Sequence, residues 1–275
     1  MGTLYVVGTP IGNLEDLSPR ALRVLREASL VAAEDTRKTG ALFSRFEIHT
    51  PLTSYFEHNK LTKLDAILEA LGRGDVALVS EAGMPGLSDP GYELIRAAIE
   101  AGVPVTPIPG PVAAITALVV SGLPTDSFTF LGFLPRKASE RRRALEQVAS
   151  EKRTLVFYEA PHRLADCLDD VEAVLGNRPI AVARELTKLY EEIYRGTVHG
   201  AREHFSNEVR GEVTLVVGGA TRASVEAVSW DEGRVRRALS DALSQGVDRK
   251  EIIRQVAQAS GWPKREVYRL ATEVA

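Results

Sequence analysis

Three short loops rich in glycine and proline stand where the chain could hold a small ligand. They span residues 8–13, 81–91 and 107–111, and each follows an apolar run that is typical of a buried β-strand. Ligands of open α/β sheets bind beyond the carboxyl ends of the strands. Glycine lets the backbone approach a ligand closely, and proline fixes the loop shape before binding. One such loop is as often a simple turn, but three at neighbouring strand ends predict a single ligand site.

Charged side chains follow further apolar runs, at residues 34–37, 157–163 and 184–188. Charged residues at strand ends often form only a solvated rim. Acids and bases mixed at one edge, however, also suit a polar substrate that must be oriented and deprotonated. We therefore expect both halves of the chain to bring charged groups to the same edge.

The chain also carries a concentrated basic segment. Between residues 136 and 143, five cations and one acid give a charge of +4, whereas the whole chain has a formal charge of −3. A charge run is usually a solvated face, but together with a basic helical tail it predicts contact with the phosphates of a nucleic acid. The candidate residues are Arg136, Lys137, Arg141, Arg142 and Arg143 of a predicted loop, and Lys264, Arg265 and Arg269 of the tail.

The first 120 residues alternate strand-sized apolar runs with helical patterns. Ser18 followed by Pro19 is typical of a helix N-cap and first helical position, and leucines at helical spacing predict a helix that stops near Gly72. Strands alternating with helices predict a largely parallel sheet covered on both faces. The predicted strands are Leu4–Val7, Leu30–Ala33, Val76–Ser80 and Val105–Ile108.

Residues 121–222 show a second α/β pattern, which begins with a predicted hinge at residues 121–126. One clear helix is predicted over Leu164–Leu175. The predicted strands are Phe128–Leu131, Thr154–Tyr158, Ile180–Ala183 and Val213–Val217.

The tail has no strand-like run. Asp248 and Glu251 form a capping box, and Gly261 and Pro263 are typical of a helix end followed by a helix start. A buried helix face is predicted at Val267, Leu270, Ala271 and Val274. The chain is thus predicted to have α/β domains over residues 1–120 and 121–222 and a small helix-turn-helix-like module over residues 230–275.

Composition sets the broad class of the protein. With 275 residues, 44% hydrophobic and 26% charged, the chain is typical of a globular protein large enough to bury a core without disulfides or metals. Cys167 is the single cysteine, and the five histidines lack the spacing of metal ligands, so no metal site is predicted. No apolar run is long enough for a membrane helix and the start lacks a signal-peptide layout, so we expect a cytoplasmic protein.

Six of these segments, taken in order, resemble one family, the ribosomal RNA small subunit methyltransferase I family of the tetrapyrrole methylase superfamily (class III S-adenosylmethionine methyltransferases). The resemblance spans about residues 4 to 218. Each motif alone is weak, but six in order are highly specific. They are VGTPIGNL at 7–14, AEDTR at 33–37, SEAGMPGLSDPG at 80–91, IPGP at 108–111, FYEAPHRL at 157–164 and RELTK at 184–188.

The resemblance implies two α/β domains of tetrapyrrole-methylase type, with S-adenosyl-L-methionine in the cleft between them, and a homodimer. It implies methylation of the ribose 2′-hydroxyl of a cytidine in the decoding region of 16S ribosomal RNA (16S rRNA), within the small ribosomal subunit. Where the family typically has threonine, this chain has Met84, which offers no hydroxyl. The implied cofactor-binding residues are Pro10, Gly83, Met84, Leu87, Val112, Ala113, Tyr158 and Thr187.

A ribose hydroxyl is a poor nucleophile, so this reaction calls for a base or a cation near the acceptor oxygen. Glu159 or Glu185 is preferred as the base, with Arg37 and Lys188 as orienting cations, but the residue types leave the choice open. The other candidates are Glu34, Asp35, Glu81 and Asp89 as bases and His162, Arg163 and Arg184 as cations.

Two other functions fit parts of the sequence. One is a related class III methylase that acts on a tetrapyrrole or a protein, for which the basic segment and the tail would be superfluous. The other is a non-catalytic nucleic-acid-binding protein that works through its tail. Binding of RNA separates the first alternative from the RNA enzyme, and binding of S-adenosylmethionine separates the second.

Overall fold

The computed structural model describes residues 2–56, 60–221, 232–244, 249–260 and 262–273. Within them the chain forms two five-stranded sheets flanked by helices, followed by a cluster of tail helices. The first sheet consists of β1 (Leu4–Val7), β2 (Leu30–Ala33), β3 (Leu52–Ser54), β4 (Val76–Val79) and β5 (Val105–Ile108). Its strands are all parallel, in the order β3-β2-β4-β1-β5.

Helices cover both faces of this sheet, as predicted. Alternate strand residues point to opposite faces, so Ala77 and Val79 join one apolar cluster while Val76 and Leu78 join the other. The N-cap prediction at Ser18 is also confirmed, because its hydroxyl accepts a hydrogen bond from the Ala21 N–H at 3.0 Å. The covering helices are α1 (Pro19–Glu27) and α2 (Thr36–Arg45) on one face, and α3 (Lys60–Arg73) and α4 (Tyr92–Glu100) on the other.

The second sheet is mixed rather than parallel. Its order is β6-β7-β10-β8-β9, and only the β6–β7 pair is parallel. These strands are β6 (Phe128–Phe133), β7 (Thr154–Glu159), β8 (Pro179–Arg184), β9 (Glu192–Thr197) and β10 (Val213–Val217). One face packs against α6 (Ala138–Gln147), α7 (Leu164–Leu175) and α8 (Val198–His204).

The opposite face of the second sheet packs against a helix that precedes it, α5 (Ala113–Val120). Buried Ala114, Ala117 and Leu118 of α5 contact strand residues such as Val156 and Val216. α5 thus packs on the second sheet although it lies before the predicted boundary at residue 121. The domain limits 1–120, 121–222 and 230–275 stay predictions.

The tail helices share an apolar core of their own. They are α9 (Glu232–Ser244), α10 (Arg249–Ser260) and α11 (Lys264–Glu273), and Pro263 directly precedes α11 as predicted. Val267, Leu270 and Ala271 are buried against α9 and α10. Asp248, Gly261 and Val274 lie outside the described residues.

Three elements differ from the sequence predictions. β3 and β9 were not predicted, because β3 has three residues and β9 mixes polar and apolar side chains at an edge of the sheet. Most of the basic segment forms α6 rather than a loop. Among the described residues, no helix has both the length and the apolar character needed to cross a bilayer.

The structure also contradicts the predicted phosphate contact of Arg141. This residue is 3% exposed, and its guanidinium pairs with the buried Asp170 of α7 at 2.6 Å. Arg142 pairs with the second oxygen of the same carboxylate at 2.5 Å. A buried charge needs such a partner to offset its desolvation. Arg141 therefore joins α6 to α7 and does not face solvent.

Replacing Asp170 by asparagine leaves the buried Arg141 without a countercharge. Loss of one partner of a buried ion pair costs about 3–5 kcal/mol, so we expect Asp170→Asn to lower the free energy of unfolding by that amount in a urea titration. The adjacent Asp169 pairs with Arg202 at 2.5 Å and its side chain is 56% exposed. Asp169→Asn is thus a matched control, expected to cost no more than about 1 kcal/mol. Equal losses in the two variants would contradict the role assigned to the buried pair.

Candidate functional site

A cleft of about 230 Å³ lies between the two sheets. On one side it is lined by the loop that follows β4 and by the start of α5, and on the other by the ends of β6 and β7 and the start of β10. Apolar side chains, including Ile11, Leu87 and Val112, form much of the wall, and the carboxylates Asp89 and Glu212 interrupt it. An apolar cleft with a few polar groups is the usual form of a small-ligand site.

Six of the eight predicted cofactor-binding residues line this cleft. The other two lie elsewhere: Pro10 lines a neighbouring hollow with Lys38 and Glu81, and Thr187 lines neither. The Thr187 hydroxyl is buried and makes no hydrogen bond within the described part of the chain. The six lining residues are Gly83, Met84, Leu87, Val112, Ala113 and Tyr158.

Two aromatic rings form one wall of the cleft. Tyr158 on β7 accepts a hydrogen bond from the Ala114 N–H at 3.3 Å, which ties the second sheet to the start of α5. Burial raises the pKa of Tyr158. Phe133 lies with its ring centroid 5.3 Å from that of Tyr158 and is 58% exposed. The backbone bends at Gly132, whose φ is +62°, and this irregularity of β6 directs Phe133 into the cleft.

Glu159 follows Tyr158 and is held rigidly. Its side chain is fully buried and pairs with Arg163. Oε1 accepts hydrogen bonds from the Ala160 N–H and from Arg163 Nε, each at 2.7 Å, while Oε2 makes none within the described residues. Glu159 therefore reaches the lining of the cleft as an ion-paired carboxylate.

Lys188 lies between two other acids. Its ammonium donates to Glu185 at 2.8 Å and to Glu212 at 3.0 Å. Burial lowers the pKa of Lys188, but the hydrogen bonds to Glu185 and Glu212 outweigh this effect, so its pKa is raised. The hydrogen bond from Lys188 in turn lowers the pKa of Glu185. A Cβ at Gly12 would come 2.4 Å from Lys188 Cγ, so only glycine lets the loop after β1 lie against this group. Glu185 and Thr187 have φ of +52° and +68°, an uncommon backbone conformation that the contacts must hold in place.

A further group of acids follows β2 and β4. Glu34 Oε2 accepts the N–H of Glu81 at 3.2 Å, and burial raises the pKa of Glu34. Glu81 pairs with Lys38. Asp35 caps α2 by accepting the N–H of Arg37 at 2.8 Å, and the Arg37 side chain, which is 92% exposed, also pairs with Asp35. Arg37 is not among the residues that line the cleft.

Asp89 differs from Asp35 and Glu81, since no basic side chain lies within ion-pair distance of it among the described residues. Glu34 has no such partner in this part of the chain either, but it does not line the cleft. Asp89 lines the cleft and is partly buried. Burial, and then the nearby charge of Glu34, raise the pKa of Asp89 from the ordinary 3.8 to about 6, although a hydrogen bond from Ser80 opposes the rise. A carboxyl group with such a pKa loses and gains its proton near neutral pH.

Comparison with known proteins agrees with this architecture. The family described as Tetrapyrrole (Corrin/Porphyrin) Methylases matches residues 3–201. A relative from Halalkalibacterium halodurans is 51% identical over 98% of this chain and 94% of its own length. One from Escherichia coli O157:H7 is 44% identical over 99% of this chain and 95% of its own. Both are named ribosomal RNA small subunit methyltransferase I. The chain belongs to this family of tetrapyrrole methylases.

Solved structures of other methylases share the fold of this methyltransferase. Uroporphyrin-III-C-methyltransferase from Thermus thermophilus superposes with a TM-score of 0.56 at 24% identity, covering 79% of this chain and 94% of that one. Cobalt precorrin-4 methyltransferase, a cobalamin biosynthetic enzyme, gives 0.59 at 17% identity, covering 78% and 94%. These likenesses confirm the tetrapyrrole-methylase fold.

Phe133 and Glu212 are among the residues of the methyltransferase cleft that were not predicted from sequence. Phe133 lies two residues beyond the predicted end of its strand, and Glu212 directly precedes a correctly predicted strand, β10. Because β10 is antiparallel to β7 and β8, its first residues meet the carboxyl ends of those strands. An acidic residue directly before a strand-like apolar run therefore indicates a cleft residue when that strand is known to be antiparallel to its neighbours.

The stability of the methyltransferase should depend on pH through Asp89. A carboxyl whose pKa is higher in the folded chain favours folding while protonated, so its contribution is complete below pH 3.8 and is lost as the pH rises through about 6. Asparagine does not ionise. We expect Asp89→Asn to increase the free energy of unfolding at pH 8 by about 1 kcal/mol, a value reduced for solvent screening of a partly exposed group.

The measurement is a urea titration at several pH values, in which the gain from Asp89→Asn should shrink toward pH 4. The exposed Asp126 provides the control, because Asp126→Asn removes a carboxylate that does not line the cleft. A gain from Asp89→Asn that is the same at every pH would show that the ionised carboxylate is not its source.

Proposed function

We propose that this methyltransferase transfers the methyl group of S-adenosylmethionine to the ribose 2′-hydroxyl of a cytidine in the decoding region of 16S rRNA. The names of the relatives, which are 42–51% identical, support small-subunit ribosomal RNA as the substrate class. The observation that carries the proposal is the cleft between the two sheets, with six of the eight expected cofactor-binding residues along its wall.

The chemistry of the cleft fits S-adenosylmethionine. This cofactor combines a flat adenine ring with a sulfonium and an ammonium cation. Met84, Leu87 and Val112 offer apolar surface to the ring, and the carboxylate of Glu212 offers negative charge to a cation of the cofactor. When bound, the cofactor supplies an electrophilic methyl group. Met84 contributes only its backbone and thioether, so the missing hydroxyl at this position does not remove the apolar contact.

The residues around the cleft can orient the acceptor hydroxyl. Holding two reactants in line is worth an effective concentration of about 10⁵–10⁸ M. Lys188, which Glu185 and Glu212 hold at the edge of the cleft, offers a positive charge that would stabilise negative charge on the acceptor oxygen. Arg37 lies farther out, and its exposed guanidinium suits a phosphate of the substrate.

Exposed cations support a path for RNA to the cleft. Arg136 follows the cleft-lining Phe133 by three residues, a span of at most about 10 Å. Arg136, Lys137 and Arg143 are exposed, whereas Arg141 is buried. Arg142 is also exposed, but its guanidinium is paired with Asp170. On the tail, Lys264, Arg265 and Arg269 of α11 are exposed and extend the proposed RNA-binding surface.

The resemblance also supports a homodimer that acts on the small ribosomal subunit in the cytoplasm. The outer face of α5 carries two exposed apolar residues, Ile115 at 42% and Val119 at 63%. These two side chains, one helical turn apart, offer apolar surface to a partner. A second copy of the chain is the partner that the resemblance implies.

The proposed function is tested by methyl transfer from labelled S-adenosylmethionine to small ribosomal subunits taken from cells that lack this enzyme. We expect label in 2′-O-methylcytidine after digestion to nucleosides, because the proposed acceptor is a ribose oxygen. Subunits from cells that contain the enzyme are the control and should accept little label. Cofactor binding without label in RNA would favour the tetrapyrrole or protein methylase, and absence of cofactor binding would favour the non-catalytic protein.

Removing two exposed cations should weaken binding of RNA through the loss of phosphate contacts. We expect the double variant Arg136→Ala/Arg143→Ala to reduce the slope of log K against log salt by about 1–2, as measured by RNA binding at a series of salt concentrations. Affinity for S-adenosylmethionine should not change. Arg23→Ala/Arg73→Ala removes the same charge from two exposed arginines, on α1 and α3, and is the matched control. Equal effects of the two pairs would show that only net charge matters.

A further inference from the structure

We propose that Asp89 is the general base that accepts the proton of the ribose 2′-hydroxyl during methyl transfer. This inference rests on the proposed function and names the residue that activates its nucleophile. It departs from the sequence analysis, which preferred Glu159 or Glu185.

The two preferred acids are both engaged by cations. Glu159 has a fully buried side chain paired with Arg163, so its carboxylate serves to hold the end of β7. Glu185 accepts from Lys188 at 2.8 Å and from the Glu212 N–H at 2.9 Å. A carboxylate that accepts charged hydrogen bonds is a weaker base, because these bonds stabilise its ionised form.

The remaining acids near the cleft are engaged too. Asp35 caps α2 and pairs with Arg37, and Glu81 pairs with Lys38. Glu212 pairs with Lys188 at 3.0 Å, and Glu34, which accepts the Glu81 N–H, is not among the residues that line the cleft.

Asp89 combines access to the cleft with freedom from a cation. It lines the cleft, and no lysine, arginine or histidine of the described residues lies within ion-pair distance. The charged groups that act on it are Glu34 from the end of β2 and Glu81 from the end of β4, and Asp89 in turn raises the pKa of Tyr158 on β7. Both neighbouring charges are carboxylates, so the surroundings favour a carboxylate that binds a proton near neutral pH.

Backbone restraints and an approach to the second sheet help to place the carboxylate of Asp89, which must meet a hydroxyl at hydrogen-bond distance. Ser88 has a φ of +64°, and Pro90 restricts the backbone of the residue before it. The Ser88 hydroxyl lies close to Gly132, where an added Cβ would come within 3.0 Å of it. The loop from the first sheet is thus supported by β6 of the second.

Methyl transfer with Asp89 as the base conserves atoms and electrons. A bond forms between the ribose 2′-oxygen and the methyl carbon of a sulfonium donor, and the bond between that carbon and sulfur breaks. The electron pair of the broken bond stays on sulfur, which leaves a neutral thioether. The 2′-hydroxyl proton passes to a carboxylate oxygen of Asp89 and then to water.

The test is the single-turnover rate of methyl transfer to small ribosomal subunits, measured from pH 5 to pH 9. For the unsubstituted protein we expect the rate to rise with pH and to level off above about 6, as the carboxyl of Asp89 ionises. Asp89→Asn should lower the plateau rate by about 10²–10⁴-fold, the usual contribution of a general base, and should remove the inflection. Asp89→Glu should recover part of the rate, since it restores a carboxylate.

A second readout separates catalysis from binding. Calorimetric titration of each variant with S-adenosylhomocysteine should give a dissociation constant within about two-fold of the unsubstituted protein, since a base for the acceptor hydroxyl is not needed to bind the product cofactor. Glu159→Gln is the comparison variant: it should lower the free energy of unfolding and keep the inflection. The urea titration of Asp89→Asn at pH 8, in which we expect a gain in stability, checks that this variant is folded.

Three outcomes would overturn the assignment. The first is an Asp89→Asn variant that keeps its rate, and the second is one whose defect lies wholly in cofactor affinity. The third is loss of the inflection in Glu159→Gln but not in Asp89→Asn, which would make Glu159 the base. Absence of RNA methylation by the unsubstituted protein is a separate result, and it would refute the proposed function instead.

Discussion

The packing of α5 against the second sheet is the contact on which the site depends. α5 starts directly after β5 of the first sheet, separated only by the Pro109–Gly110–Pro111 segment and Val112, and then buries its small side chains on the second sheet. Because alanines such as Ala114 and Ala117 allow close approach, the helix lies near the strands. The short, proline-rich connection leaves the sheets little freedom to separate. Both walls of the cleft therefore keep a fixed relation to each other.

The carboxylates around the cleft differ in whether a cation is paired with them. Most carboxylates are held by a lysine, an arginine or backbone N–H groups, which stabilises their ionised forms. Asp89 is left with acids as its neighbours, and the fold tolerates the cost of its ionisation at neutral pH. Local destabilisation of this sort is common where a group must bind and release a proton.

Much of the fold could be predicted because its signals are local. The buried parallel strands are continuous apolar runs, and α7 was predicted with its observed limits, Leu164–Leu175. Edge strands such as β3 and β9 carry no comparable signal, since they are short or half polar. The sequence also shows where charges occur but not which of them pair. Arg141 and Arg143 are two positions apart in one basic run, yet one is buried against Asp170 and the other is exposed.

The central position of β10 has a consequence for synthesis of the chain. β10 is the last strand of the second sheet in sequence, but it lies between β7 and β8. A nascent chain that has not yet reached residue 213 holds two strands whose inner edges have no partner, so the sheet cannot close strand by strand as it leaves the ribosome. The second sheet can complete its strand pairing only after β10 has been synthesised and lies between β7 and β8. Until then the apolar faces of these strands, including the face on which α5 packs, stay accessible to chaperones and to other nascent chains.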